Sequence, residues 1–269
     1  MACLLDVTAA KPGNVHRGAD FEDMGMLDFA ASAVAIGPAM EGAGHTRLGE
    51  TVLRAVRATR EVTKANTNLG IVLLLAPLAK VAGSARRRQS LQQLWSELTA
   101  EDCSGVYEAI RLASPGGLGE SEQMDVRSTE TPTCLMTAME HAADRDLVAL
   151  QYVSDFELVL KTLVPQLVAN CREQTIPLAI VDTFVWLLAN HVDSLIQRKC
   201  GKALAQQASE LAIRCLEARE SGEPEYHKSL AELDFWLRAD GNRRNPGTSA
   251  DLVTAATFMA LNDGLIEFV

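Results

Sequence analysis

Four polar segments stand out because their residue types and spacing suit the handling of an anionic, nucleotide-like ligand. The first is Lys11-Pro12-Gly13-Asn14-Val15-His16, followed by Asp20, Glu22 and Asp23-Met24. A Lys ahead of a rigid Pro-Gly turn reaches an anion from a fixed backbone. An ordinary N-terminal turn with a solvated Lys accounts for the same residues. In the second, Asn66-Thr67-Asn68 places three amide or hydroxyl side chains just before the apolar run from Leu69 to Ala79. Such a cluster caps a helix and leaves N–H groups aimed at a phosphate. Capping alone explains one of the three.

The third segment is Asn190-His191-Val192-Asp193-Ser194 with Arg198 and Lys199, near the end of an apolar helix expected over 176–196. Asp193 and Arg198 miss the i,i+4 spacing of a helical ion pair. Each can instead face a ligand, Asp193 a metal or hydroxyl and Arg198 a phosphate. His191 and Asp193, two apart on a helix, would diverge and make a poor metal pair. The fourth runs from Asp240 through Gly241, Asn242, Arg243, Arg244, Asn245, Pro246 and Gly247 to Asp251. It predicts a turn feeding a helix from Thr248 or Ser249, with hydroxyl capping and Asp251 in the first turn. Capping does not require Asn242, Arg243, Arg244 and Asn245, which suit a loop that holds an anionic or nucleotide ligand. The chain carries no Walker loop, dinucleotide fingerprint, nucleophile elbow or H-E-x-x-H.

The elements that must position these segments read as helical. Leu48, Val52, Val56 and Thr63 share one face, and Leu178, Val181, Val185, Leu188, Val192 and Leu195 recur at three and four. Leu204, Ala208, Leu211 and Cys215 repeat the pattern, as do Leu252, Ala256 and Met259. Aromatic residues are only 5%, and β-propensity is correspondingly low. Pro- and Gly-bearing breakers divide the stretches. The polar segment from Ser114 to Pro132 reads as a surface loop or lid. No repeat period or strand–helix alternation appears. The expectation is an all-α chain of nine or ten helices, folded as one globular domain over residues 1–269.

Composition bounds the function. At 269 residues, with 48% hydrophobic and 22% charged residues, the chain buries a sizeable core without staples. Its net charge of −10 argues against a nucleic-acid or anionic-membrane surface, while a few convergent cations still suffice for an anionic ligand. The six Cys lie outside any C-x-x-C spacing, as expected of reduced cysteines in a cytoplasmic protein. The longest apolar run is too short to span a bilayer.

Taken in order, the four segments resemble the triphosphoribosyl-dephospho-CoA synthase family. The resemblance rests on Lys11-Pro12-Gly13 with Asp23-Met24, on Asn66-Thr67-Asn68-Leu69-Gly70, on Asp193 ahead of Arg198, and on Asn245-Pro246-Gly247-Thr248-Ser249-Ala250-Asp251. It spans nearly the whole chain, and the last motif is the most specific. It implies an all-α transferase that uses ATP and Mg²⁺. In that family the 2′-hydroxyl of dephospho-CoA attacks the ribose C1′ of ATP, and adenine leaves. The product is the precursor of the prosthetic group of citrate or malonate lyase-type enzymes. Carried onto this sequence, the resemblance implies Asp193 or Asp251 as base or metal ligand. It implies Lys11, Arg198, Asn242, Asn245, Gly247 and Ser249 as phosphate or sugar contacts, and Asn66, Thr67 and Asn68 as nucleotide-positioning residues.

The sequence departs from the lyase-linked members at two places. Their N-T-H-K-G motif here has Asn68 and Leu69 in place of His and Lys, and Arg198 is followed by Lys199-Cys200-Gly201. In this the chain is similar to the branch linked to methanopterin-dependent one-carbon metabolism, which brings in a pterin- or folate-like precursor as an alternative acceptor. The competing expectations are a non-catalytic helical nucleotide-binding protein and an ADP-ribosyl-hydrolase-like N-glycosidase. A homodimer is compatible with the Ala- and Leu-rich helices.

Overall fold

The computed structural model describes residues 1–114 and 132–267, so most of the segment read as a loop or lid lies outside the described residues. The helices run in chain order as α1 (Ala2–Thr8), α2 (Met26–Ala35), α3 (Gly37–Glu41), α4 (Leu48–Val62) and α5 (Leu69–Lys80). They continue as α6 (Arg87–Glu97), α7 (Ala100–Ala113), α8 (Leu135–Ala142), α9 (Leu147–Val153) and α10 (Val164–Glu173). The last five are α11 (Ile176–Asn190), α12 (Ser194–Cys200), α13 (Lys202–Ser221), α14 (Glu223–Arg238) and α15 (Gly247–Asn262). Among the described residues there is no strand, only an isolated bridge between His16 and Ala19.

The all-α class holds, with more helices than the nine or ten expected. The surplus comes from helices of five to eight residues, such as α3, α9 and α12, which are too short for a periodicity window to register. The helix expected over 176–196 is two. α11 ends at Asn190, His191 is extended (φ −137°, ψ 128°), and Asp193 caps α12. Leu178, expected in the core, lies half-exposed in the first turn of α11. Thr63 follows the end of α4 and donates to Asp28 Oδ1 at 2.7 Å. No single helix among the described residues is long and apolar enough to cross a membrane.

The chain forms two compact units, residues 1–26 with 161–269 and residues 27–160, and it passes between them first at Met26–Leu27 and again within a π-helical turn at Leu158–Leu163. In the first unit α11 and α15 are the most buried helices. α11 is packed by α10 and α13, α15 by α1 and α10, and the two touch each other. The Asp182 carboxylate of α11 is buried there against Arg219 (2.6 Å) and the Tyr226 hydroxyl (2.5 Å). That pairing satisfies an ionised group in an apolar helix.

In the second unit α4 crosses α7 at a pair of glycines. A Cβ on Gly49 would stand 2.4 Å from the Asp102 carbonyl oxygen, and one on Gly105 would stand 2.7 Å from the Gly49 carbonyl oxygen. The buried Asp102 fastens this crossing. Its Oδ1 accepts the Gly49 N–H at 2.9 Å, while its Oδ2 accepts the Thr99 N–H and Oγ1 of its own capping box. Because the obstacle is backbone, Gly49→Ala should lower stability by about 1–3 kcal/mol or more. Urea or thermal unfolding reads this directly, and an unchanged midpoint would contradict the close crossing.

Candidate functional site

Three of the four segments singled out in the sequence lie in the first unit, and the structure brings them together. Gly13 (φ 70°) has space for no side chain, since a Cβ there would stand 2.7 Å from Leu237 Cβ and 3.1 Å from Pro246 Cδ. The Lys-Pro-Gly turn is therefore seated on the Asn-Pro-Gly turn. Gly247 is equally close to α12, where its Cβ would meet Leu195 Cδ2 at 2.7 Å. At these two positions glycine permits the close approach of backbone that builds the site.

Asp193 joins its own segment to the one that runs from Asp240 to Asp251. Its side chain is wholly buried. Oδ1 accepts the N–H groups of Leu195 and Ile196 at 2.9 Å each, and Oδ2 accepts the N–H and Oγ of Ser249 at 2.8 Å each. One carboxylate thus caps α12 and holds the first turn of α15, which has no side-chain cap of its own. Burial pushes the Asp193 carboxyl above its ordinary value, against the downward pull of these hydrogen bonds. A carboxylate offers about four lone-pair directions, and all are taken by the protein.

Two further expectations are corrected here. Lys11 does not project into solvent. It is 1% exposed, and its ammonium lies 3.0 Å from Asp6 Oδ1 and 2.5 Å from the Asp6 carbonyl oxygen. Asp251 is not in the first turn of its helix, because α15 begins at Gly247, two residues earlier than a Ser249 start would place it. It is half-buried and is among the charges acting on Cys3 of α1.

The loop before α15 is tied on both sides. Asn242 Nδ2 donates to both oxygens of Asp23 at 2.9 and 2.8 Å, and the Asn242 carbonyl accepts from Lys199 at 3.5 Å. Arg243 donates to the Lys199 carbonyl at 3.4 Å, and Arg244 lies over Trp236 with 4.5 Å to the ring centroid. Arg198 is exposed beside Lys199. Burial, then the charge of Arg198, push the Lys199 ammonium below its ordinary value. Asn245 Oδ1 is buried and has no hydrogen-bond partner among the described residues.

The remaining segment, Asn66-Thr67-Asn68, belongs to the second unit and is satisfied locally. Asn66 Oδ1 accepts the Leu69 N–H at 3.3 Å, Thr67 Oγ1 pairs with Ser32 Oγ at 2.7 Å, and the Asn68 amide exchanges two hydrogen bonds with Thr59 at 3.1 and 3.0 Å. Capping accounts for Asn66, and tertiary hydrogen bonds account for the other two.

Sequence reasoning missed Asp234 and Arg238, one helical turn apart on α14. Asp234 Oδ1 accepts the Gly13 N–H at 2.7 Å and also binds Arg238 Nε at 2.8 Å, and Arg238 in turn donates to the Asn14 carbonyl. Their i,i+4 spacing was the available signal, but it reads first as an ordinary surface pair. Asp6 was missed because nothing in its short helix marks it as the partner of Lys11.

Among the described residues no group of three His, Cys, Asp or Glu is placed to hold a metal ion, and the acceptors of Asp193 are already filled. These residues do not make a resident magnesium site. A magnesium ion held by one or two carboxylates and substrate phosphates needs no such cage.

This is an all-helical protein whose N-terminal Lys-Pro-Gly turn, capping aspartate and Asn-Pro-Gly helix form one packed constellation. The family model CitG, ATP:dephospho-CoA triphosphoribosyl transferase, matches residues 1–267, and the chain belongs to that family. It is a triphosphoribosyl-dephospho-CoA synthase-type transferase. A crystal structure from Archaeoglobus fulgidus, provisionally assigned as a triphosphoribosyl-dephospho-CoA synthase, is similar at 25% identity with a TM-score of 0.67. The match covers 88% of this chain and all of that one. Comparison with curated proteins gave no match.

Proposed function

We propose that this chain transfers the triphosphoribosyl group of ATP to dephospho-CoA, or to a related cofactor precursor, with release of adenine, and that residues 1–269 act as one functional domain. The observation that carries this reading is Asn245 Oδ1, a buried acceptor left unpartnered among the described residues at the head of the most specific motif. An orphaned acceptor there costs free energy until a donor arrives, and a substrate hydroxyl supplies one.

In the proposed reaction the acceptor hydroxyl oxygen forms a bond to ribose C1′ as the bond from C1′ to adenine breaks. The electron pair leaves with adenine, and the hydroxyl proton passes by way of a carboxylate to the departing adenine, so the carboxylate is regenerated. Positive charge grows on the sugar as the bond breaks, so a nearby carboxylate both stabilises it and takes the hydroxyl proton. We assign that role to Asp251. Asp193 is then the positioning residue that fixes α12 against α15 rather than the base or a metal ligand. Arg198 and Lys199, with Arg243, supply positive charge for the triphosphate. Lys11, already paired with Asp6, stiffens the turn. Asn66, Thr67 and Asn68 act by fixing the start of α5.

Mass spectrometry of a reaction with ATP, Mg²⁺ and dephospho-CoA tests this. The expected product has the mass of the acceptor plus ATP less adenine. If dephospho-CoA and pterin- or folate-like precursors all come through unmodified, the proposal fails.

A further inference from the structure

His16 closes the Lys-Pro-Gly segment and has no part in the mechanism above. Its ring is held by its own loop. The His16 and Ala19 backbones exchange hydrogen bonds at 3.1 and 2.9 Å, and the Gly18 N–H donates to His16 Nδ1 at 3.1 Å. A backbone N–H can only donate, so Nδ1 carries the lone pair and the ring proton sits on Nε2. Nε2 has no hydrogen-bond partner among the described residues, and the side chain is half-buried.

The turn that carries His16 is clamped from α14. Asp234 takes the Gly13 N–H, Arg238 grips both Asp234 oxygens at 2.8 and 3.0 Å as well as the Asn14 carbonyl, and its guanidinium lies 5.4 Å from the Phe21 ring centroid. The charged groups acting on the imidazole are Arg238 and Asp234 from α14, and Lys11 and Asp20 from its own segment. Burial first, then Arg238, hold the ring below its ordinary pKa, so it remains neutral at neutral pH.

We propose that His16 contacts substrate in this transfer, presenting Nε2–H as a neutral hydrogen-bond donor to a phosphate oxygen, with Asp234 and Arg238 as the positioning residues of its turn. The assignment rests on the function proposed above. A cation is ruled out as the partner because the lone pair it needs is on Nδ1 and occupied. Among the groups of ATP and dephospho-CoA, phosphates present the most acceptor oxygens.

The test uses the full chain with ATP and Mg²⁺. A Gln side chain carries its amide to the position of Nε2, whereas Asn reaches only that of Nδ1. His16→Gln should therefore bind ATP within about threefold of wild type and His16→Asn about tenfold more weakly, the loss of one hydrogen bond, with both folded at the assay temperature. Nitrogen-15 spectra of the imidazole should show the Nε2–H form at neutral pH. In Arg238→Met the His16 titration should move to higher pH and ATP binding should weaken. An Nδ1–H tautomer, or His16→Asn that binds ATP as wild type does, overturns the assignment alone. An unmoved titration in Arg238→Met overturns the role of the clamp. Wild-type protein that binds no ATP overturns the proposed function and this assignment with it.

Discussion

Asp193→Ala should destabilise the protein by on the order of 4 kcal/mol, among the largest losses a single substitution produces. The carboxylate is wholly buried and accepts four hydrogen bonds of 2.8–2.9 Å from Leu195, Ile196 and Ser249. Truncation leaves three backbone N–H groups and one hydroxyl without acceptors, each buried donor costing about 1–3 kcal/mol when unmet. Asp193→Asn should lose less, because its oxygen still serves α12 while its NH₂ confronts the Ser249 N–H. Denaturant unfolding of the two variants reads this ordering. A stable Asp193→Ala would show that α15 is not held by this group. Under conditions where that variant remains folded, turnover should still be lost, because the Asn245–Asp251 segment is no longer seated.

Asp251→Asn should act differently, cutting turnover by about 10²- to 10⁴-fold, the usual worth of a positioned proton acceptor, while stability and ATP affinity change little. Asp251 is the only carboxylate between Asn245 and the second turn of α15. Unlike Asp193 it is half-buried rather than sealed. The substitution preserves shape and removes the charge, so the loss should fall on kcat. Full turnover in a folded Asp251→Asn would remove it from the chemistry and leave it a helix residue near α1.

The all-α class was legible because α4 carries a strong amphipathic repeat and α11 and α15 are long apolar runs. Element boundaries were less so. The break at His191 is made by the Asp193 carboxylate drawing in the N–H groups of α12, and a periodicity count sees through such a break because Leu188, Val192 and Leu195 remain in phase. For the site, the sequence reading grouped four motifs, and the first unit holds three of them, Lys11-Pro12-Gly13, Asp193 and Asn245-Pro246-Gly247, while Asn66-Thr67-Asn68 lies in the second. What each side chain does was harder to read. Lys11 read as a cation reaching outward, but its partner Asp6 lies within a short helix with no distinguishing pattern. Asp193 read as a ligand-facing acid, yet Oδ1 caps its own helix and Oδ2 is met by Ser249, 56 positions away. Asp102 did leave a sign, the Thr99-x-x-Asp102 spacing of a capping box. Asp234 and Arg238 became legible only when Gly13 was seen against α14.

Group transfer from ATP is tested most directly by the release of adenine. Purified protein with ATP and Mg²⁺ should liberate adenine when dephospho-CoA or a related precursor is present and little without it. Adenine released at the same rate with no acceptor would mean that water is the nucleophile and the protein an N-glycosidase. ATP bound with no adenine under any acceptor would contradict catalysis altogether, leaving a nucleotide-binding protein on the synthase scaffold.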